Sequence, residues 1–425
     1  MPRFDVDLHI HSLHSIGVSK VMTIPRLSQG AKEKGLHLLG TGDATQPQWL
    51  KHLTTHLKRI DDAYIYDTIA FIPTVEIEDK ESIHHVIILP DFDSVEYLRS
   101  SIRQYSQNLD NEWGGRPRVN IGGGDLAAHV RDAGGLIGPA HAFTPFKSIF
   151  RENRHTHLET CYAEEAKNIH FIELGLSADS EIADCIPELH RLTYITSSDA
   201  HSPGPNKLGR EFTRFEMEAP TFYELSHAIK REKGRKSVLN VGLDPRLGKY
   251  YLSFCSKCRR TLIVQDGNEA PSFDDLNIYI QCNSMSEREK LLHSIYLRKV
   301  PCPSDGKALR LGVRDRAAAI GKGTSKSPQH RPPYLRIAPL LDIITLAIQV
   351  KSSSSKAARK LYNKLRMEFG SETSILANTP LDSIRQINDR VALMIQSYRN
   401  GSACYQAGGG GRYGKLIPPW ECDGL

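Results

Sequence analysis

The sequence predicts an α/β fold built in three parts: a β/α unit with a sheet or barrel, a small cysteine-bearing segment, and a mainly helical, basic C-terminal region. Three observations predict it. Over residues 1–243, short β-rich runs alternate with longer amphipathic stretches, the order that builds a parallel sheet or barrel. Over residues 244–310 that order stops, and Cys255, Cys258, Cys282 and Cys302 appear. Over residues 311–425 a basic Gly/Ser/Pro-rich stretch leads into helical patterning. The chain has 425 residues, room for two or three domains. No run approaches the ~18–20 apolar residues of a membrane span, and the first residues, MPRFDVDLHIHS, hold no apolar leader. Eight sparse cysteines in a chain this long do not read as a disulfide framework. A soluble, cytoplasmic protein is expected, with no membrane partner.

The expected strands are Phe4–Ile10, Leu36–Thr41, Ala70–Ile77, His84–Leu89, Gly135–Pro139, His170–Leu174, Tyr194–Ser197 and Ser237–Val241. Ile24–Lys34 reads as a helix, with Pro25 early in its first turn and Gly35 as its stop. Leu126–Ala133 reads as another, closed by Gly134 and Gly135, and the preceding Gly122–Asp125 as a loop. In the C-terminal region Leu361, Leu365 and Phe369 form an apolar stripe, with Lys356, Arg359, Lys360, Lys364 and Arg366 largely off it. Thr379-Pro380-Leu381-Asp382 resembles a helix start with Thr379 as N-cap. Gly408–Gly411 reads as a loop.

Charge divides the chain. Residues 1–230 carry a net −9 and 16 of the 18 histidines; residues 231–425 carry +15. An acidic, histidine-rich part suits metal chemistry, and a basic part suits a polyanion. In Asp7-Leu8-His9-Ile10-His11 the period-2 alternation of a strand puts Asp7, His9 and His11 on one face. A lone HxH is more often two ordinary histidines. Here it is joined by Asp43, Glu76, His84-His85, His141 and Asp199-x-His201, most of them at the C-terminal ends of expected strands, where β/α barrels assemble their sites. Imidazole with carboxylate suits Zn²⁺, Mn²⁺ or Fe ions, and so many ligands point to a multinuclear site.

In order, His9-x-His11, Asp43, Glu76, His85, His141 and Asp199-x-His201 resemble the motifs of the PHP (polymerase and histidinol phosphatase) superfamily over roughly residues 1–240. The resemblance implies a distorted β/α barrel and a metal-dependent phosphoesterase with two or three divalent ions (Zn, Mn, Mg or Fe). It assigns His9, His11, Asp43, Glu76, His85, His141, Asp199 and His201 as catalytic metal ligands; His85 is chosen over His84 because it directly precedes the apolar strand. Where many members have a further histidine, this chain has Gly17. Asp7 is expected to orient a ligand histidine, and Glu173 either faces the site or is structural.

Further segments narrow the match: Gly40–Asp43 with Pro47–Leu50, GGLIGPAHAFTP at 134–145, ELGLSAD at 173–179, SDAHSPGPNKLG at 198–209, GVRDR at 312–316 and HRPPY at 330–334. Together they resemble the endonuclease Q family along nearly the whole chain. That resemblance implies a DNA repair endonuclease nicking 5′ of deaminated bases (uracil, hypoxanthine, xanthine) or abasic sites. DNA carrying such nucleotides becomes the expected partner, a sliding clamp a further candidate, and the cytoplasmic nucleoid the expected location. Clustered metals suit phosphodiester hydrolysis, because they activate water and neutralise the in-line transition state.

Cys255-x-x-Cys258 is half of a structural zinc site. The resemblance implies a second C-x-x-C from Cys302, but the chain reads Cys302-Pro303-Ser304-Asp305, which leaves three readings: Asp305 as fourth ligand, Cys282 in its place, or a weakened or absent metal with the thiols reduced and buried. Cys161, Cys185, Cys404 and Cys422 show no pairing logic and are expected free. Arg314, Arg316, Lys322, Lys326, Arg331 and the 356–366 helix supply the basic surface for phosphates, with Tyr334 either stacking on a base or packing under Pro332-Pro333. Two other readings compete. A small-molecule phosphatase of the same superfamily leaves the basic half unused, and a non-catalytic nucleic-acid-binding module leaves the ligand set unused.

Overall fold

The computed structural model describes residues 1–321 and 326–424 and has a mixed α/β fold. In the large eight-stranded sheet, Arg3–Asp7 runs parallel to Leu38–Gly40, which runs parallel to Ile69–Ile72. On its other side Arg3–Asp7 pairs antiparallel with Phe212–Glu216, then come Lys236–Gly242 and, parallel to it, Tyr334–Arg336. The hairpin Lys58–Ile60 with Ala63–Tyr66 closes the far edge. Thr74–Glu78, His84–Ile88 and Leu136–Pro139 form an antiparallel three-stranded sheet. Phe171–Glu173 and Thr193–Ile195 form a parallel pair, tied to the first strand by the bridge Ile10–Ala200.

Most expected strands appear, but the one expected at Ala70–Ile77 is two. Pro73 has no N–H to donate to a ladder, so the chain leaves the large sheet at Ile72 and enters the three-stranded sheet at Thr74. The helix Ile24–Lys34 has the expected bounds and ends at Gly35, whose φ of 96° suits glycine. The second helix starts earlier than expected, at Gly123, and takes in part of the glycine run read as a loop. A Cβ on Gly123 would stand 2.8 Å from Cys161 Sγ, so this turn packs only as glycine. The later helix start moves by one residue, with Pro380 as the N-cap of Leu381–Ile387.

The cysteine-bearing segment has its own five-stranded sheet, a covering helix Met285–Tyr296, and an apolar cluster including Leu262, Ile278, Leu292, Ile295 and Leu309. The C-terminal helices instead share one core with the first unit, from Ile10 and Leu27 to Ile343, Leu365 and Ile395. A buried ion pair, Lys34 Nζ to Glu372 at 2.7 Å, crosses that junction, and Glu372 also accepts from Tyr362 Oη at 3.0 Å. Cys404 and Cys422, expected free, are joined as a disulfide. The antiparallel pair Cys404–Gln406 with Lys415–Ile417 returns the chain, setting Cys404 opposite Ile417. No helix among the described residues is long and apolar enough to cross a membrane.

Candidate active site

The side chains of the site leave the ends of strands or the turns just beyond them. His9 and His11 follow Arg3–Asp7, Glu76 lies in Thr74–Glu78, His84 begins its strand, and His141 and Asp199 follow theirs. His141 and Asp199 have positive φ, 30° and 47°, uncommon for non-glycine residues and the kind of strain that functional turns retain.

Two ligand groups meet here. His9, His11 and Asp199 form one; Glu76, His84 and His141 form the other. Glu76 joins them. Its Oε1 is 2.7 Å from His84 Nδ1, 3.0 Å from His141 Nε2 and 3.7 Å from His9 Nε2, and its Oε2 is 3.4 Å from His11 Nε2. Asp199 Oδ1 stands 3.2 Å from His11 Nε2 and 3.8 Å from His9 Nε2. His9 Nε2 and Asp199 Oδ1 are buried without hydrogen-bond partners. A buried, orphaned imidazole nitrogen facing an orphaned carboxylate oxygen is a donor set suited to divalent ions. Burial opposes ionisation of Glu76, but His84, Arg116 and His9 outweigh it and hold the carboxyl well below its ordinary range.

Behind these candidate ligands stand the groups that aim them. Glu173 accepts from His9 Nδ1 at 2.9 Å and from the His141 backbone N–H at 2.8 Å. Asp43, expected as a ligand, lies behind His11: it accepts from His11 Nδ1 at 3.0 Å, from Ser12 N–H at 2.7 Å and from Ser15 Oγ at 2.9 Å. These bonds put the proton on Nδ1 and leave each Nε2 lone pair for the site. Asp7, expected to orient a histidine, instead accepts from the backbone N–H groups of Ser198 and Gly209, both at 3.0 Å, and so fixes the turn carrying Asp199. Its burial pushes the carboxyl up to about 6 against those bonds.

His85 does not join the centre; His84 does. Neighbouring residues of a strand face opposite ways, and His85 points into the layer behind, 3.2 Å from Asp79 and 2.8 Å from Tyr162 Oη. His201 turns its Nδ1 back to the Asp199 carbonyl at 2.9 Å and packs edge-on against His11 at the rim of the site. Sequence reasoning missed Arg116. Its Nη2 is 3.0 Å from His11 Nε2 and its Nε bonds Glu76, yet it comes from a loop with no histidine or acidic motif to mark it.

The cysteine cluster selects Asp305. Cys255, Cys258, Cys302 and Asp305 place ligand atoms within 4.8 Å of one another, with Cys258 Sγ 3.8 Å from Cys302 Sγ and Cys255 Sγ 3.4 Å from Asp305. Cys282 is buried outside this group.

The side chains expected to meet phosphates are largely engaged inside the protein. The Arg331 side chain is 4% exposed, paired with Asp184 at 3.0 Å and stacked over Tyr194 at 3.2 Å. Arg316 is buried and donates to the Phe143 carbonyl. Tyr334 is half-buried in the core, its hydroxyl shielded against Gly242 rather than offered to a base. Arg314 stays partly exposed beside Asp315, and Lys322 lies outside the described residues. By contrast, Lys356, Arg359, Lys360 and Lys364 are exposed on the helix Lys356–Phe369.

A model of the MJ0043 C-terminal domain matches residues 339–402. An uncharacterized protein of Methanocaldococcus jannaschii is 34% identical over 65% of the chain, which spans only 31% of that protein. Protein YqxK of Bacillus subtilis is 28% identical over 98% of the chain and 100% of its own length. The lesion-specific endonuclease PfuEndoQ of Pyrococcus furiosus is 41% identical, with a TM-score of 0.86 over 100% of this chain and 97% of that one. An endonuclease Q bound to a 27-mer duplex with an abasic lesion at its active site is also 41% identical, with a TM-score of 0.84 over 98% and 97% of the two chains. With 41% identity and a shared fold from end to end, the chain belongs to the endonuclease Q family.

Proposed function

We propose that this protein is a metal-dependent DNA repair endonuclease that hydrolyses the phosphodiester 5′ of a deaminated base or an abasic site. One observation carries it: the two ligand groups joined by Glu76 converge in a chain that aligns along its whole length with a lesion-specific endonuclease. His9, His11, Asp199, Glu76, His84 and His141 would hold two or three divalent ions (Zn, Mn, Mg or Fe) on a PHP-type barrel. Such ions supply activation of water and neutralisation of charge on the phosphate under attack. Glu173 and Asp43 keep His9 and His11 in the tautomer that faces the site. Arg116, 32% exposed and already between Glu76 and His11, is placed to grip a phosphate oxygen. Cys255, Cys258, Cys302 and Asp305 would hold one structural zinc that ties the second segment together. The exposed basic face of the helix Lys356–Phe369 would follow the duplex backbone. Acting on chromosomal DNA, the enzyme would work at the nucleoid.

The test is a 5′-labelled duplex with one deoxyuridine, given Mn²⁺, Mg²⁺ or Zn²⁺ in turn, with a His9→Ala/Asp199→Ala double variant as control. A single cut on the 5′ side of the uridine, absent in the control, is expected. Intact DNA together with hydrolysis of simple phosphomonoesters would replace this reading with a small-molecule phosphatase.

A further inference from the structure

Phe146 is out of place for a phenylalanine. Its residue is 61% exposed, although nearby Phe143 and Phe150 are fully buried. It lies five residues after His141, and it lines the same cavity of about 300 Å³ as His84, His141, Arg116 and Asp199. An exposed phenyl ring gives up favourable burial. The loop around it is firmly held, so the exposure is not that of a slack segment. Thr144 Oγ1 donates to the Phe146 carbonyl at 2.7 Å, and Lys147 pairs with Glu78 at 2.8 Å. The Lys147 carbonyl accepts from the backbone N–H of His84 at 2.8 Å, which ties the loop to a ligand residue. Tyr250, from the cysteine-bearing side, meets the ring at 81° with centroids 5.9 Å apart and limits how it can turn.

The cavity is small, at the lower end of the size that takes a compact ligand, and its lining sets Phe146 and Leu176 among the polar candidate ligands. A flat apolar ring, exposed in that lining, matches the π-face of one nucleobase, which any base presents regardless of sequence. We propose that Phe146 is the platform on which the base of the lesion nucleotide stacks when it leaves the duplex, beside the ligand groups that act on its 5′ phosphate. This rests on the endonuclease reading above. Extrusion sacrifices base stacking within the duplex, and contact with Phe146 restores part of it.

An abasic nucleotide has no base to stack, so two substrates separate this role from any other. Phe146→Ala and Phe146→Tyr are compared with the wild type on duplexes carrying deoxyuridine or an abasic site. Phe146→Ala is expected to lower kcat/KM on deoxyuridine by about 5- to 150-fold, the equivalent of about 1–3 kcal/mol per stacked base. On the abasic duplex it is expected to stay within about twofold of wild type, and Phe146→Tyr is expected to keep most activity on both. Metal content equal to wild type checks that the neighbouring ligands are undisturbed. Equal losses on the two duplexes, or no loss on either, overturn the platform. A wild type that cuts neither duplex overturns the endonuclease reading itself, an outcome visible before any variant is compared.

Discussion

Glu173 receives His9 Nδ1 on both carboxylate oxygens, at 2.9 and 3.1 Å, while the opposite nitrogen of the same ring is left unpaired in the centre of the site. One carboxylate thus sets the tautomer, the orientation and the basicity of one candidate ligand, and through the His141 N–H it positions a second. Replacing it with alanine should weaken divalent-metal binding by about 10- to 100-fold, the usual cost of removing such a partner. A Mn²⁺ titration of Glu173→Ala checks this, and unchanged affinity would show that Glu173 is structural only.

The neighbours His84 and His85 should differ in what they lose. His84→Ala removes a candidate ligand 2.7 Å from Glu76 and should cut turnover at least about a hundredfold with little change in unfolding midpoint. His85→Ala strips partners from buried Asp79 and Tyr162, which should cost about 1–3 kcal/mol of stability. Turnover and urea midpoints measured on both variants decide it; the reverse pattern would place His85 at the metal.

Zinc content should distinguish the two candidates for the fourth ligand. Asp305→Ala should lower bound zinc and the midpoint of thermal unfolding, because it opens a closed four-ligand set. Cys282→Ala should leave zinc near one equivalent, with only the small cost of a lost buried side chain. Loss of zinc from the Cys282 variant would contradict the observed grouping.

Arg331 should act on folding and not on DNA. Its removal leaves the Asp184 carboxylate, 1% exposed, with a buried and poorly compensated charge, and Arg331→Ala should cost about 3–5 kcal/mol. The slope of DNA affinity against salt should not change. Lys360→Gln or Lys364→Gln should lower that slope by about 0.9 for each phosphate that is no longer neutralised, at little cost to stability. A reduced slope in a folded Arg331 variant would return that residue to the interface.

Glu211 makes stability fall with pH. Burial lifts its carboxyl to about 8, against the pull of the Leu243 N–H. In the unfolded chain the group loses its proton near pH 4.3, so between about pH 4.3 and about 8 the unfolded state holds fewer protons than the folded one. Stability therefore declines through that window and levels off above it. Glu211→Gln removes the effect, and its advantage over wild type in urea should grow by a few kcal/mol between about pH 5 and about pH 9. An advantage independent of pH would rule this out.

Much of this protein is legible from local pattern. Strand alternation in Asp7–His11, acidic residues and histidines recurring at strand ends, Pro25 and Gly35 bounding a helix, and the Cys255-x-x-Cys258 pair all act over a few residues, and all are visible without a fold. What local pattern does not carry is direction across the molecule. Glu78 stands opposite His84 in the ladder and Ile77 opposite His85, and that long-range register sends His84 to the candidate metal groups and His85 into the layer behind. Asp43 reads as a ligand until Ser12 and Ser15 are seen to hold it behind His11. Arg116 enters the site only because the loop bearing it folds back over Glu76, and Arg331 leaves the surface only because Asp184, far away in the chain, is buried beneath it. Residue type and spacing set which chemistry the chain can perform. The pairing of distant segments, driven by burial of their apolar faces, selects the side chains that meet to perform it.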